Sequence, residues 1–406
     1  MPTKRVRDES SGSPTDGANK VEVAVVCCGQ PKLSMGWFHL TQLLEEPSVE
    51  VTAIVEPFFL GAGKDTPGAK VFSTMQVSLK EAHPSLAFCA SPAELPDRPE
   101  PKDGETRKPL LALIAGRTCD AAKLFKQLIE KGATHVYIEK PGAENAAQLG
   151  KMRELAAARG VEVVVGFNKN VAAYVRDGLT AARRAVAAGE PVPRVTLEHC
   201  NEFEPGEPLR AFMRGPGGEG MLHNMCCHEL ALAVSLFGVT SGRVQRVTVA
   251  PDATELIELG DGRSDFAKVG FSLELADDGA PPRAGGLGVR SLHFSADRCG
   301  GNFSRVRLGG EGGAAEESFC LPDAAHKAWI EKAQAADPEI RPYFLQQAPD
   351  YLALKSAFLR HILTGAPGIP DGVVGLADAE ETLRLADMLV PALKHCCQTG
   401  TPWTPN

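Results

Sequence analysis

Short apolar strands alternate with helices from Val21 to about Gly166, and this alternation constrains the fold more than any other feature of the sequence. Segments 21–28, 49–56 and 110–115 have the length and the β-branched content of buried strands, and helical stretches separate them. Strands joined through helices predict a parallel, doubly wound α/β sheet. The first part of the chain is therefore expected to fold as one α/β domain.

The second part of the chain has a different pattern. Beyond Asn170, strand-like segments follow one another with few helices between them, and the chain closes with helical stretches near 349–364 and 373–397. Antiparallel strands joined by turns fit this pattern better than strand–helix–strand units, so an α+β domain is predicted. The polar N-terminal residues are expected to form a disordered tail. The predicted organisation is a tail at 1–20, a first domain at 21–166 and a second domain at 167–397.

Composition excludes several classes of function. The 406 residues carry a formal net charge of −8, with 43% hydrophobic and 23% charged residues, which is typical of a soluble protein and disfavours nucleic-acid or anionic-membrane partners. The first residues lack the apolar core of a secretion signal, and no apolar run approaches the roughly 20 residues of a membrane helix. The 11 cysteines include no Cys-x-x-Cys pair, which indicates free thiols in a reducing compartment. A cytoplasmic location is therefore expected.

The tripeptide Glu139-Lys140-Pro141 lies where a ligand site is expected. It ends the strand-like segment 134–138 and precedes a helix that stops at Gly160. Open α/β sheets bind ligands at the carboxyl ends of their strands. A lysine there can hold a substrate hydroxyl or pass on its proton. On the residues of this tripeptide alone, a solvated surface lysine is the favoured interpretation.

The first strand leads into a turn that resembles a dinucleotide-binding glycine turn. Cys27 stands at the first glycine position, Gly29 at the second and Gly36 at the third, with an insertion of about four residues relative to the G-x-G-x-x-G fingerprint. The second strand ends at Glu56, where a carboxylate can accept hydrogen bonds from a ribose and repel a 2′-phosphate. This arrangement predicts NAD, with NADP as the alternative cofactor. An ordinary strand–turn–helix with a surface glutamate is the other interpretation.

The order of these features resembles the Gfo/Idh/MocA oxidoreductases, which include glucose-fructose oxidoreductase and inositol dehydrogenase. The resemblance implies an N-terminal Rossmann domain and a C-terminal domain built on an open, mostly antiparallel sheet. It also implies a homodimer or homotetramer formed through that sheet, and it leaves open whether the C-terminal helices pack back on the Rossmann domain. The motifs that carry it are Glu139-Lys140-Pro141, Gly166-Phe167-Asn168, the glycine-rich stretch 218–228 and the segment 351–358.

The resemblance assigns a catalytic role to three residues. Lys140 matches the lysine that holds the reacting hydroxyl or carbonyl, and His228 matches the histidine that donates or accepts the proton. Many members have an aspartate four residues before that histidine, and here the position is Asn224. The spacing predicts that 224 and 228 share one helix face, but an asparagine cannot supply negative charge. On the residues alone, a buried structural histidine is the better interpretation of His228, and only the resemblance favours the active site.

Further residues are expected around this centre. Arg214 fits a structural salt bridge as well as a substrate contact, and His223 fits an incidental polar contact better than a second base. The cluster of cysteines and histidines near His228 predicts no metal site, because adjacent cysteines on a helix point about 100° apart. The expected cofactor residues are Gly29, Gly36, Glu56, Thr118, Glu139 and Pro141, and the expected substrate residues are Asn168, Lys169, Arg214 and His223.

Together these features predict an NAD(P)-dependent oxidoreductase that transfers a hydride between nicotinamide and a sugar, cyclitol or related polyol. An imidazole suits removal of the hydroxyl proton near neutral pH, and a neighbouring lysine stabilises a developing alkoxide. The alternative is a non-redox relative, either a nucleotide- or sugar-sensing regulator or an NAD-dependent enzyme that cleaves glycosides. The altered glycine turn and Asn224 keep that alternative open.

Overall fold

The first six strands of the chain pair in parallel in the N-terminal sheet, and helices on both faces bury apolar strands such as the first and the fourth. Its strand order is β3-β2-β1-β4-β5-β6, which confirms the predicted doubly wound topology. The order reverses between β1 and β4, so the crevice at their carboxyl ends is the expected place for a ligand. The strands are β1 (Val21–Val26), β2 (Val49–Val55), β3 (Ala87–Cys89), β4 (Leu110–Ile114), β5 (His135–Ile138) and β6 (Glu162–Val165).

Helices cover both faces of this sheet. They are α1 (Met35–Leu44), α2 (Pro67–Ala82), α3 (Thr118–Glu130) and α4 (Ala146–Arg159). The sequence patterns anticipate α1, α3 and α4 but not α2. Local signals do mark the start of α2, since Thr66 caps it by accepting a hydrogen bond from the Ala69 amide, and Pro67 occupies the first turn.

The second sheet is open, mixed and mostly antiparallel, as predicted. Its order is β13-β12-β7-β11-β10-β8, with β9 paired to β10, and only the β7–β11 pairing is parallel among the described strands. Burial alternates along β11 and β12, so one face of the sheet packs on the core. The strands are β7 (Arg194–Cys200), β8 (Val244–Val249), β9 (Glu255–Glu258), β10 (Ser264–Leu275), β11 (Ser291–Asp297), β12 (Phe303–Gly309) and β13 (Glu317–Leu321).

Six further α-helices lie in the described residues: α5 (Ala173–Ala187), α6 (Glu207–Arg214), α7 (Cys227–Phe237), α8 (Ala324–Ala336), α9 (Pro342–Thr364) and α10 (Leu376–Thr399). Helix α9 continues through Pro349 and begins earlier than the sequence pattern suggests. It packs on α1 and β1, while α10 packs on α4 and α7. A short strand between them, β14 (Val374–Gly375), pairs antiparallel with β6. The last helices therefore contact both parts of the molecule.

The computed structural model describes residues 20–98, 108–215, 218–260, 262–277, 286–309 and 316–405. Apart from Lys20, the polar tail expected at 1–20 lies outside these residues. Within them, no helix combines the length and the hydrophobicity needed to cross a membrane.

Candidate functional site

The candidate site lies at the carboxyl edge of the N-terminal sheet, where four turns meet. Each turn follows a buried strand, so its backbone is fixed at one end by the sheet. The turns follow β1 (Cys27 to Gly36), β4 (Gly116 to Thr118), β5 (Glu139 to Pro141) and β6 (Gly166 to Lys169).

The altered glycine turn still brings the start of α1 close to the end of β1. A Cβ on Gly36 would lie 2.2 Å from the Cys27 carbonyl oxygen and 2.8 Å from Cys28 Cα, so only glycine permits this approach. Gly36 thus takes the packing role of the third glycine in the fingerprint. Cys27 (φ 61°) and Gly29 (φ 73°) both adopt left-handed conformations. For Cys27 this conformation costs roughly 1–2 kcal/mol, because it carries a Cβ.

Glu56 ties this turn to the end of β2. Its buried carboxylate accepts hydrogen bonds from the Gly29 amide at 2.7 Å through Oε2, and from the Phe58 amide at 3.1 Å and the Phe59 amide at 3.3 Å through Oε1. Each carboxylate oxygen has a second lone pair, which leaves capacity for a further donor. Burial, with a smaller effect from Glu56, raises the pKa of the Cys27 thiol to about 12, so this thiol stays protonated.

Two cavities form a continuous track along the sheet edge. The first, of about 500 Å³, lies between the glycine turn, Glu56 and α3. The second, of about 740 Å³, extends past Thr118 and Pro141 to His223. Both cavities are lined by Gly116 and Arg117, so these two residues mark where they meet. The predicted cofactor residues Gly29, Glu56, Thr118 and Pro141 thus lie along one track.

Lys140 is held by a backbone carbonyl of the second domain. Its half-buried ammonium group donates to the Asn224 carbonyl oxygen at 2.8 Å. Burial lowers the pKa of Lys140, but the nearby Cys227, Tyr343, Glu139 and Glu219 raise it further, so the pKa lies above its ordinary value. Lys140 is therefore a cation at neutral pH.

Asn224 does not lie on the helix of His228. It belongs to a single π-helical turn, Met221–Met225, and α7 begins only at Cys227. The predicted shared helix face is therefore wrong, because the chain changes its helical geometry between the two residues. The backbone carbonyl of Asn224 contacts Lys140, and this contact places Asn224 at the site.

His228 is a buried and neutral imidazole. It is 2% exposed, and its ring packs edge-on against Phe167 and His199, with centroids 5.8 Å and 6.1 Å away. Burial, reinforced by Lys169, Lys140 and His199, holds the pKa of His228 well below its usual range. Its Nδ1 atom has no hydrogen-bond partner within the part of the chain that the structure describes. The imidazole can therefore accept a proton at neutral pH.

Beside His228 lies an ion pair that the sequence did not predict. Lys169, expected to contact substrate, instead donates from Nζ to Glu229 Oε1 at 2.8 Å, with side chains 3% and 1% exposed. The other oxygen of Glu229 lies 3.2 Å from His199 Nδ1. Although burial raises the pKa of Glu229, Lys169 and His199 lower it to about 2. The only local signal was an acidic residue inside an otherwise apolar helix.

Several buried polar atoms meet around the turn after β6 and the neighbouring α9. Asn168 Nδ2 donates to Gln347 Oε1 at 3.1 Å, but Asn168 Oδ1 has no partner among the described residues. The same is true of Asp350 Oδ2 on α9. Buried polar atoms are nearly always hydrogen-bonded in folded proteins, so unsatisfied ones mark a place suited to a polar ligand.

Two predicted substrate residues have other partners. Arg214 pairs with Glu207 on its own helix, and neither cavity of the track includes it among the described lining residues. His223 Nε2 lies 2.9 Å from Asp387 Oδ1 at the edge of the second cavity. Among the described residues, no group of three or more His, Cys, Asp or Glu side chains could hold a metal ion.

Comparisons with known proteins agree with this architecture. A myo-inositol dehydrogenase from Corynebacterium glutamicum shares 19% identity with a TM-score of 0.61, covering 95% of this chain and 99% of that chain. A myo-inositol 2-dehydrogenase from Lactobacillus plantarum shares 13% identity with a TM-score of 0.61, covering 96% and 100% of the two chains. A UDP-N-acetylglucosamine 3-dehydrogenase from Acidithiobacillus ferrooxidans shares 14% identity with a TM-score of 0.53, covering 92% and 97%. The TM-scores and the coverage of both chains show a shared fold.

No curated protein sequence gives a significant match. Residues 21–167 match the model of an oxidoreductase family with an NAD-binding Rossmann fold. That range contains the glycine turn, Glu56 and Lys140, and the second domain has the same fold as in the inositol dehydrogenases. Residues 21–167 are thus similar to the Gfo/Idh/MocA family of oxidoreductases.

Proposed function

We propose that this protein oxidises or reduces a sugar, cyclitol or related polyol, with NAD as its hydride carrier. The observation that supports this most directly is a charged Lys140 near enough to a neutral, buried His228 to lower its pKa, at the end of a strand in the region that matches an NAD-binding family. Related folds include dehydrogenases of inositols and of a nucleotide sugar, whose reacting groups are hydroxyls.

The track along the sheet edge fits a dinucleotide. The close approach at Gly36 places the N-terminal end of α1 at the end of β1, and the first cavity follows that turn. Arg117 and Lys123 supply positive charge along it, which suits a pyrophosphate. Glu56 lies in the same cavity, where a carboxylate accepts hydrogen bonds from ribose hydroxyls. Bound there, the nicotinamide ring would accept or donate the hydride.

Lys140, His228 and Asn168 bind the substrate and transfer its hydroxyl proton. The Lys140 ammonium group binds the substrate hydroxyl and stabilises the negative charge that develops on its oxygen. The unprotonated ring nitrogen of His228 takes the hydroxyl proton while the carbon of that hydroxyl loses its hydride. Asn168 Oδ1 can orient a neighbouring hydroxyl by accepting its hydrogen bond. In the reverse direction His228 returns the proton to the carbonyl oxygen.

Glu56 should determine the choice between NAD and NADP. We expect Glu56→Gln to lower the ratio of the Kd for NADP to the Kd for NAD by about tenfold, equivalent to about 1.4 kcal/mol. The reason is that the substitution removes the charge that faces a 2′-phosphate. Glutamine keeps the shape of the side chain and an oxygen that accepts from the turn. Calorimetric titration with both dinucleotides measures the ratio, and Glu130→Gln at the exposed end of α3 serves as the control. If Glu56→Gln binds NADP as weakly, relative to NAD, as the unmodified protein does, this assignment is wrong.

A panel of polyols and sugars tests the proposed function directly. Reduction of added NAD by one of them is the expected result, and mass spectrometry of the small molecule that co-purifies with the native protein narrows the panel. If NAD raises the melting temperature but no compound is turned over, a non-redox sensing role becomes the better account. Failure to bind either dinucleotide rejects both functions.

A further inference from the structure

Two buried side chains and one partly buried side chain, all titratable, form a hydrogen-bonded chain behind Lys140. Lys355 of α9 is 3% exposed and His39 of α1 is fully buried. Lys355 Nζ lies 2.8 Å from His39 Nδ1, and His39 Nε2 lies 2.9 Å from Glu139 Oε1. Glu139 immediately precedes Lys140 at the end of β5. The proton transfer described above uses none of the three.

The charge on Lys355 fixes the direction of this chain. An ammonium group has donors but no acceptor, so His39 Nδ1 must accept from it. The remaining imidazole proton then lies on Nε2, which donates to Glu139. Without the ammonium group, His39 loses the donor that holds its ring at Nδ1, so its hydrogen bond to Glu139 is no longer fixed from both sides. Lys355 therefore controls a hydrogen bond to Glu139 through His39.

Glu139 is also confined by its other neighbours. The Tyr137 hydroxyl donates to the same carboxylate oxygen, Oε1, at 2.9 Å. A Cβ on Gly166 would come within 2.7 Å of that oxygen and 2.8 Å of the Tyr137 hydroxyl, so the backbone after β6 closes against the pair. A carboxylate held in this way fixes the backbone of the next residue, which is Lys140.

Stability does not explain a lysine at this position. Burial lowers the pKa of Lys355 to about 7, against the opposing effect of Glu139. Burial and Lys355 lower the pKa of His39 to about 4. The titratable groups that face the ammonium group are His39 from α1, Glu139 from β5 and, on its own helix, Tyr351, whose ring centroid is 5.7 Å away. A cation whose pKa falls on burial opposes folding, so its retention points to a role in function.

We propose that Lys355 is a positioning residue which, through His39 and Glu139, holds the Lys140 ammonium group in place for the substrate hydroxyl. The proposal rests on the proposed function, since it assigns Lys355 to the same reaction. None of the three chain members lines the first cavity of the track, so dinucleotide binding should not depend on them.

The test measures the chemical reactivity of Lys140 without substrate or cofactor. At pH 6, below the pKa of about 7, Lys355 is charged. In Lys355→Met, nothing holds the His39 ring against Glu139, and we expect dilute acetic anhydride at this pH to acetylate Lys140 faster, by about tenfold for each unit that its pKa falls. Peptide mass spectrometry reads the rate, and Lys151→Met on the exposed face of α4 is the matched control. NAD affinity should stay unchanged, while kcat for the identified polyol falls.

A second pair of variants covers the case in which Lys355→Met does not fold. Glutamine at position 39 can accept from Lys355 and donate to Glu139, so His39→Gln should keep the acetylation rate of the unmodified protein, whereas His39→Leu should raise it. The proposal would be overturned if folded Lys355→Met had the same acetylation rate as the unmodified protein. It would also be overturned if His39→Gln and His39→Leu had the same acetylation rate as each other. Acetylation of Lys140 does not require the enzyme to turn over a substrate. If the protein oxidises no polyol, the proposed function is wrong, but the acetylation rates still test the role of Lys355.

Discussion

Replacing Lys140 with methionine should lower kcat for the polyol substrate by about 10²- to 10³-fold, the typical cost of removing one donor from a developing oxyanion. The ammonium group is charged at neutral pH and lies at the junction of the two domains, bound to the Asn224 carbonyl. Methionine keeps a side chain of similar length but cannot donate a hydrogen bond. Steady-state kinetics with saturating NAD measures the effect.

Dinucleotide binding separates this role from a structural one. Lys140→Met should still show the rise in melting temperature that NAD gives the unmodified protein, since Lys140 does not line the first cavity. Lys126→Met is a suitable control, because Lys126 is exposed on α3 and forms only a loose pair with Glu130 at 3.9 Å. Full activity in Lys140→Met would remove Lys140 from the reaction, and loss of NAD binding would assign it to the cofactor instead.

The parts of the site that could be predicted are those encoded by neighbouring residues. The strand before Lys140 and the glycine turn each occupy a short stretch of sequence. The spacing of hydrophobic residues predicts the strand, and the glycines predict the turn. Gly36 was assigned in this way, despite the insertion before it, because a strand precedes it and a helix follows. The parallel sheet follows from the same local alternation.

The parts that could not be predicted depend on contacts between distant segments. Lys169 was predicted to contact substrate because nothing near it in sequence shows that Glu229, 60 residues away along the chain, neutralises it. Lys355 and His39 join elements from opposite ends of the chain, so no spacing rule relates them. Asn224 was misplaced for another reason: an i, i+4 spacing describes an α-helix, and a π-helical turn changes it.

Loss of Lys169 should be the most destabilising change in the site. Lys169→Met leaves the Glu229 carboxylate, 1% exposed, without its cation, and breaking such a buried pair typically costs about 3–5 kcal/mol. The free energy of unfolding from chemical denaturation measures this loss. Lys126→Met on the surface should change it by less than about 0.5 kcal/mol. A loss as small as that of the surface variant would show that Glu229 does not depend on Lys169.

The pH dependence and the double variant identify the cause of that loss. Glu229 has its pKa lowered to about 2 from an ordinary 4.5, so its contribution to stability is complete above pH 4.5 and is lost as the pH falls towards about 2. The stability difference between the unmodified protein and Lys169→Met should therefore shrink over that interval.

Lys169→Met combined with Glu229→Met should recover much of the loss at neutral pH, because no unpaired charge remains buried. If the two substitutions are additive instead, packing around Lys169 rather than its charge sustains the fold at this junction.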